Sequence, residues 1–206
     1  RVDRLQRQMC IRDRSAGSLA FRQIKLVFQT ARAILNRDPA AINLRTVMLT
    51  YPGIHALAWY RVAHYFETHR LPLLAALLSQ HAARRTGILI HPAAQIGHRV
   101  FFDHGIGTVI GATAVIEDDV TILHGVTLGA RKTEQAGRRH PYVCRGAFIG
   151  AHAQLLGPIT IGANSKIGAG AIVLDSVPAH VTAVGNPAHL VATQLHAYHE
   201  TTSNQA

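Results

Sequence analysis

The sequence predicts a helical N-terminal block followed by a solenoid of short parallel strands. Between Ile90 and Val184, aliphatic or small apolar residues recur every six positions, and glycine directly follows many of them. Before this stretch, apolar residues recur at spacings of three and four, which is the pattern of an amphipathic helix. A period of six fits neither a helix nor a simple strand, so it indicates stacked coils of short strands.

The helical block is predicted to start near Gly17. One face of its first helix carries Phe21, Ile24, Val27, Phe28, Ala31 and Ile34. This helix stops at residues 37–39, and a second helix is predicted over residues 44–49. Two more helices begin at Pro52 and Pro72, since proline is favoured in the first turn. The helical block is predicted to end at Gly87, and the first coil follows.

The repeat itself gives the expected core of the solenoid. Its aliphatic positions are Ile90, Ile96, Phe102, Ile110, Ile116, Ile122, Leu128, Ile149, Leu155, Ile161, Ile167, Val173 and Ala179. One such side chain per strand points inward and stacks on its equivalents in neighbouring coils. The alternative is an ordinary β-sandwich in which the spacing is a coincidence. Glycines in phase with the repeat argue against it.

The period breaks at two places, and these breaks are the expected positions of a site. The step from Phe102 to Ile110 is eight residues and contains Asp103-His104-Gly105. The step from Leu128 to Ile149 is 21 residues and contains the polar segment 131–141. A polar, glycine-containing segment inside an aliphatic array leaves the coil as a loop.

The composition is that of a compact protein with a hydrophobic core. The 206 residues are 48% hydrophobic and 16% charged, which is ample for a core. With two cysteines, no long apolar run and no apolar leader segment, we expect a cytoplasmic protein without disulfides. The expected division is a disordered or non-native tail at 1–16, a helical domain at 17–87, the coil domain at 88–192 and a tail at 193–206.

The formal net charge of +10 is concentrated at the N-terminus, where residues 1–37 carry nine Lys or Arg and two Asp. A basic end is compatible with nucleic-acid binding. No aromatic interleaving or nucleic-acid motif accompanies it, so we expect neither a nucleic-acid nor a membrane partner.

A set of short strings resembles one enzyme family. The strings are RDPA at 37–40, YPGIHAL at 51–57, TGILIHPA at 86–93, DHG at 103–105, VTLG at 126–129 and RRHP at 138–141. Their order and separations resemble the short bacterial form of the serine O-acetyltransferases, which are hexapeptide-repeat acyltransferases. The resemblance implies that the solenoid is a left-handed parallel β-helix.

The resemblance also implies an activity. It is the transfer of acetyl from acetyl-CoA, the co-substrate, to the hydroxyl of L-serine, which gives O-acetylserine for cysteine biosynthesis. No metal is implied, and the expected assembly is a homotrimer or a dimer of trimers.

The same resemblance assigns the substrate site. A serine hydroxyl needs a base near neutral pH, and histidine suits that pH; His104 is the candidate among 14 histidines, many of which must be surface or packing residues. His140 is the second catalytic residue that the resemblance implies, and it would hydrogen-bond the substrate from the loop. Asp103 and Asp38 would bind the ammonium group, and Arg139 the carboxylate.

For CoA, the resemblance implies a groove between two subunits. The residues expected to line it are Gly129, Ala130, Ala151, Ala169 and, near the nucleotide end, Lys166. Small residues let the pantetheine arm approach, although the alanines also fit simple corner packing.

Some residues depart from the family pattern. Leu89 stands where the family carries an acidic partner for the base, Ala130 replaces the second of two glycines, and His189 replaces a basic residue near the end of the array. The chain ends in Ala206 rather than isoleucine, so docking to O-acetylserine sulfhydrylase is not expected.

Other functions remain open at this point. One is acetyl transfer to another small hydroxylated acceptor, and another is a catalytically weakened or non-catalytic solenoid. A third is a γ-class carbonic anhydrase, which uses histidine ligands on the same coil. His64 and His69 have a suitable spacing of five residues for that enzyme but fall in the helical block.

Overall fold

The computed structural model describes residues 16–37, 40–132 and 137–191. Within these ranges the helices are α1 (Ala16–Arg37), α2 (Leu44–Thr50), α3 (Pro52–Thr68) and α4 (Pro72–Thr86). The last three begin at the residues that the sequence predicts. The predicted stop of the first helix includes residues 38–39, which lie outside the described residues.

Local sequence explains the ends of these helices. The Asn43 side chain accepts a hydrogen bond from the Thr46 N–H at 2.8 Å and caps the start of α2. Pro52 and Pro72 occupy the first turns of α3 and α4, where a missing N–H costs no hydrogen bond. Gly87 ends α4 with a φ of 72°, a left-handed conformation that glycine adopts without strain.

After α4 the described chain forms strands of two or three residues that are joined by turns and loops. They are β1 (Leu89–Ile90), β2 (Gln95–Ile96), β3 (Phe101–Asp103), β4 (Val109–Ile110), β5 (Val115–Ile116), β6 (Thr121–Leu123), β7 (Thr127–Gly129), β8 (Tyr142–Val143), β9 (Phe148–Ile149), β10 (Gln154–Leu156), β11 (Thr160–Ile161), β12 (Lys166–Ile167), β13 (Ile172–Val173), β14 (Thr182–Val184) and β15 (His189–Val191).

These strands form the three sides of a prism. The first sheet has the order β1-β4-β7-β10-β13, the second β2-β5-β8-β11 and the third β3-β6-β9-β12-β14-β15. Strands of successive coils pair in parallel and in register, for example Ile110 with Leu128 and Leu128 with Leu155. The predicted fold class, an all-α block followed by a left-handed parallel β-helix, is confirmed.

The inward row follows the six-residue period through most of the coil. Ile110, Leu128 and Leu155 are at most 1% exposed, and so are the small Ala114 and the β-branched Val126 in the corners. Close packing of one aliphatic residue per strand therefore forms a continuous core along the prism.

The prediction of Ala179 as an inward residue was wrong. Ala179 is exposed, and the buried Val177 pairs with Ile161 in its place. The corner after Val173 is shorter than the period, so Val177 takes the inward place. The next inward residue is the buried Ala183, which pairs with Ile167.

Helices α3 and α4 cover the open end of the first coil. Their side chains donate hydrogen bonds to backbone carbonyls of that coil: Tyr60 to Ala94 (2.6 Å), Arg61 to Ile96 (2.7 Å) and Ser79 to Ile90 (2.7 Å). The edge of a sheet presents unpaired polar groups, and these contacts satisfy several of them. Burial raises the pKa of Tyr60 to about 12, so its hydroxyl remains protonated at neutral pH.

Helix α1 is tied to the outside of the coil at its C-terminal end. Arg37 Nη2 donates to Asp119 Oδ1 at 2.5 Å, and Arg99 binds both oxygens of the same carboxylate at 2.8 and 2.7 Å. The hydrogen bonds from Arg99 hold the pKa of Asp119 below its usual range. The chain entering residue 38 is therefore anchored to two adjacent coils.

The last coil is closed by β15, which runs antiparallel to β14 with Thr182 opposite Val191. Because β15 pairs with the outer strand of the third sheet, it covers that edge. The described helices include none that is both long enough and apolar enough to span a bilayer.

Candidate active site

One edge of the prism carries a row of histidines. It is formed by the turns that follow β3, β6, β9 and β12, and we call it the histidine edge. His104, His124 and His152 occupy successive turns, with ring centroids 6.4 Å apart for the first pair and 4.9 Å for the second. Of these three residues only His104 was predicted from the sequence, because the other two join it only once the coil register is known.

His104 projects outward from a strained turn. Its φ is 56°, which is unusual for a residue with a side chain. The following Gly105 also has a positive φ, and a Cβ there would overlap Ile88. The His104 side chain is 80% exposed, and its Nε2 lies 3.7 Å from Asp103 Oδ1. The turn thus places an imidazole on the surface beside a carboxylate.

His124 lies next to His104 and is unusual among the described side chains. Its Nδ1 is the one buried side-chain nitrogen or oxygen in the described part of the chain without a hydrogen-bond partner. On its other side, the ring of His152 packs over Gly125, where a Cβ would overlap it. His124 is therefore held within the row rather than free in solvent.

A second edge, formed by the turns that follow β1, β4, β7 and β10, carries the polar loop. We call it the loop edge. The loop departs after β7, as the sequence predicts, and returns at β8; its residues 133–136 lie outside the described part. Arg138 fixes its return by donating to the carbonyls of Pro158 (2.8 Å) and Ile159 (3.1 Å).

His140 is packed into the loop edge and is 7% exposed. Its ring lies against Gly111, where a Cβ would overlap the ring atoms Cδ2 and Nε2. Its Nδ1 lies 2.8 Å from Thr113 Oγ1 and accepts a hydrogen bond from the Thr113 N–H at 3.2 Å. Burial, followed by the charges of Arg139 and His91, lowers the pKa of His140.

The sequence-predicted site residues fall into two groups. His104, Asp103, Ala151 and Ala169 lie on the histidine edge or end a strand there, whereas Gly129, Ala130, Arg139 and His140 lie on the loop edge. The two edges are separated by the first sheet. Lys166 is exposed on β12, in the third sheet, and Asp38 lies outside the described residues.

Successive turns on the histidine edge are joined by backbone hydrogen bonds. His152 N–H donates to His124 O at 2.8 Å, and Gly170 N–H donates to Ala151 O at 2.8 Å. The edge is therefore a continuous strip that leads from His104 past Ala151 to Ala169. Among the described residues, no group of three or more His, Cys, Asp or Glu is arranged to hold a metal ion.

The chain is similar in sequence to one protein family and to several known enzymes. The family described as bacterial transferase hexapeptide (six repeats) matches residues 140–175. A serine acetyltransferase of Bacillus pumilus (strain SAFR-032) is 46% identical over 167 residues, which cover 81% of this chain and 76% of that protein. A serine acetyltransferase of Helicobacter pylori (strain ATCC 700392 / 26695) is 50% identical over 158 residues, which cover 77% and 92%.

Solved structures agree with the sequence relatives. A serine acetyltransferase in complex with cysteine superposes with a TM-score of 0.81 at 44% identity and covers 82% of this chain and 70% of its own. A complex with CoA gives 0.77 at 42% identity, covering 82% and 69%. The soybean enzyme complexed with serine gives 0.79 at 44% identity, covering 82% and 69%.

Proposed function

The chain belongs to the serine acetyltransferase family, and from this premise we propose that it transfers the acetyl group of acetyl-CoA to the hydroxyl of L-serine. Acetyl-CoA is the co-substrate, and the product is O-acetylserine for cysteine biosynthesis. The observation that carries the proposal is the exposed Asp103–His104 pair on a coil that resembles the serine-bound and CoA-bound structures. We further propose that the reaction takes place in the cytoplasm.

His104 acts as the general base in this proposal. As the serine oxygen attacks the thioester carbonyl carbon, its proton passes to the imidazole, and the C–S bond then breaks. The same proton goes to the departing CoA sulfur, which leaves as the thiol. The outward direction of the ring and the nearby Asp103 carboxylate support this role, because negative charge stabilises the imidazolium that forms.

The ammonium and carboxylate groups of the substrate are bound by side chains of opposite charge. Asp103 and Asp38 bind the ammonium group, and Arg139 binds the carboxylate through its planar guanidinium. The ion pair of Arg37 with Asp119 supports the part assigned to Asp38, because it anchors the preceding residue to the coil.

The CoA arm follows the small residues of both edges. Ala151 and Ala169 contribute from the histidine edge, and Gly129 and Ala130 contribute from the loop edge. Lys166 meets the nucleotide phosphates as an exposed cation on β12. The backbone link between Gly170 and Ala151 supports a continuous path along the first of these edges.

We also propose that the active site forms between two copies in a homotrimer or a dimer of trimers. The two groups of site residues lie on different edges of one prism, so a second copy is needed to bring them together. Val109 and Phe148 flank the histidine edge and are 38% and 41% exposed, which suits a contact between copies. Light scattering is expected to give at least a trimer, and an active monomer at assay concentrations would contradict this proposal.

The assay that tests the function measures thiol release from acetyl-CoA with a panel of hydroxylated amino acids and sugars. Serine is expected to stimulate release most strongly, with O-acetylserine identified by mass spectrometry. Stimulation by a different acceptor, with none by serine, would refute the serine specificity while leaving acetyl transfer in place.

Introducing a carboxylate at Leu89 is expected to raise turnover. Leu89→Asp supplies the acidic partner that orients the base in the family pattern, and the expected gain is roughly 10-fold in kcat. Leu89→Asn has the same size without the charge and serves as the control, with melting temperature measured for both because Leu89 is half-buried. Folded Leu89→Asp protein that is no faster than wild type would mean that another group orients His104.

A further inference from the structure

We propose that Thr113 is a positioning residue that holds His140 as the neutral imidazole with its proton on Nε2. His140 then donates a hydrogen bond to the bound substrate and does not act as a base. The identity of that substrate rests on the proposed function, whereas the tautomer rests on contacts within this chain.

The hydroxyl of Thr113 has its hydrogen bonds fully assigned. Its oxygen accepts from the backbone N–H of Arg139 at 3.0 Å and from that of His140 at 3.1 Å. A hydroxyl oxygen has two acceptor positions and one proton to donate. With both acceptor positions filled, the proton of Thr113 Oγ1 points to His140 Nδ1, which lies 2.8 Å away.

A second donor reaches the same nitrogen. The backbone N–H of Thr113 donates to His140 Nδ1 at 3.2 Å, and a backbone amide nitrogen cannot accept. A nitrogen that accepts two hydrogen bonds carries no proton of its own. The ring proton of neutral His140 therefore sits on Nε2.

The surroundings of His140 also disfavour a second proton. The ring is buried against Gly111, and the charged or titratable groups around it are Arg138 and Arg139 on its own loop and His91 at the end of β1. Burial and the Arg139 and His91 charges all lower the pKa of His140. Protonation of Nδ1 would also break both contacts with Thr113.

A fixed neutral N–H suits a particular task in acetyl transfer. The thioester carbonyl oxygen gains negative charge as the serine oxygen adds, and a donor already in place stabilises that charge without reorganisation. The two histidines of the site then have separate roles. His104 takes the proton, and His140 donates to the substrate through Nε2.

The test compares Thr113→Val, which removes the hydroxyl at nearly constant size, with Thr113→Ser, which keeps it. Protein containing 15N-labelled histidine is studied by two-bond 15N–1H correlation NMR at neutral pH, and the His140 signals are assigned from their loss in His140→Gln. The wild type and Thr113→Ser are expected to show the Nε2-protonated tautomer, and Thr113→Val a mixture of tautomers.

Kinetics give the second readout. We expect Thr113→Val to lower kcat by roughly 10-fold to 100-fold, a part of the usual effect of losing one oxyanion donor, with recovery in Thr113→Ser. The acid limb of its pH profile is expected to move to higher pH, because the ring has lost a donor that opposes protonation of Nδ1. A merely structural role for Thr113 would leave the tautomer and the pH profile unchanged in folded protein.

The outcomes separate this proposal from the proposed function. A wild-type or Thr113→Ser spectrum with the proton on Nδ1 would overturn it, and these two spectra suffice if Thr113→Val does not fold. Equal tautomers in folded Thr113→Val and wild type would also overturn it. Protein that shows the Nε2 tautomer but no response to serine would refute the proposed function and support the positioning role.

Discussion

Replacing His104 by alanine is expected to lower the serine-dependent rate by roughly 100-fold to 10,000-fold, the usual effect of removing a positioned general base. The fold is expected to survive, because the side chain is 80% exposed and does not belong to the inward row. Thiol release at saturating acetyl-CoA and serine measures the effect. Circular dichroism and melting temperature report on folding.

A matched control for this variant is His180→Ala. His180 is also an exposed histidine with a positive φ, 62° against 56° for His104, but it follows the bridge at Val177 and lies on neither edge of the site. Its replacement therefore measures how much stability and activity are lost when alanine takes a left-handed conformation in a turn away from the site. If folded His104→Ala keeps more than about half of the wild-type activity, His104 is not the base.

The second large effect is expected at Gly111. A Cβ at this position would overlap the His140 ring, so Gly111→Ala forces the ring out of its contact with Thr113. A displacement of this kind at a reacting group is expected to lower kcat by about 100-fold. The measurement is steady-state kcat and KM for both substrates, with the oligomeric state checked in parallel.

The double variant supplies the control for Gly111. When His140→Ala has already removed the ring, adding Gly111→Ala is expected to change kcat little, since the two changes act through one contact. Similar losses from Gly111→Ala in both backgrounds would show that the glycine matters for the coil itself and not for His140.

The core of the coil could be predicted from sequence because burial repeats with the chain. Ile122 and Leu128 are fully buried where the period puts them. The period gave a wrong position only at Ala179, where a shorter corner brings Val177 to the inward place instead.

The contacts that organise the candidate site could not be predicted in the same way. Thr113 and His140 are 27 positions apart, and a threonine two residues after a repeat glycine also fits ordinary corner packing. Their contact depends on how the loop returns to the coil. His124 and His152 were likewise indistinguishable from other histidines until the turns were aligned along one edge.

The coverings at the two ends of the prism limit how far the protein can polymerise. Nothing within a repeat fixes the number of coils, and an uncovered end would accept strands of another copy and grow into a fibre. Helices α3 and α4 cover one end, through contacts such as that of Tyr60 with Ala94, and at the other end β15 covers the edge of the third sheet. In the proposed homotrimer or dimer of trimers, the copies then meet at the sides of the prism, where the histidine edge and the loop edge lie.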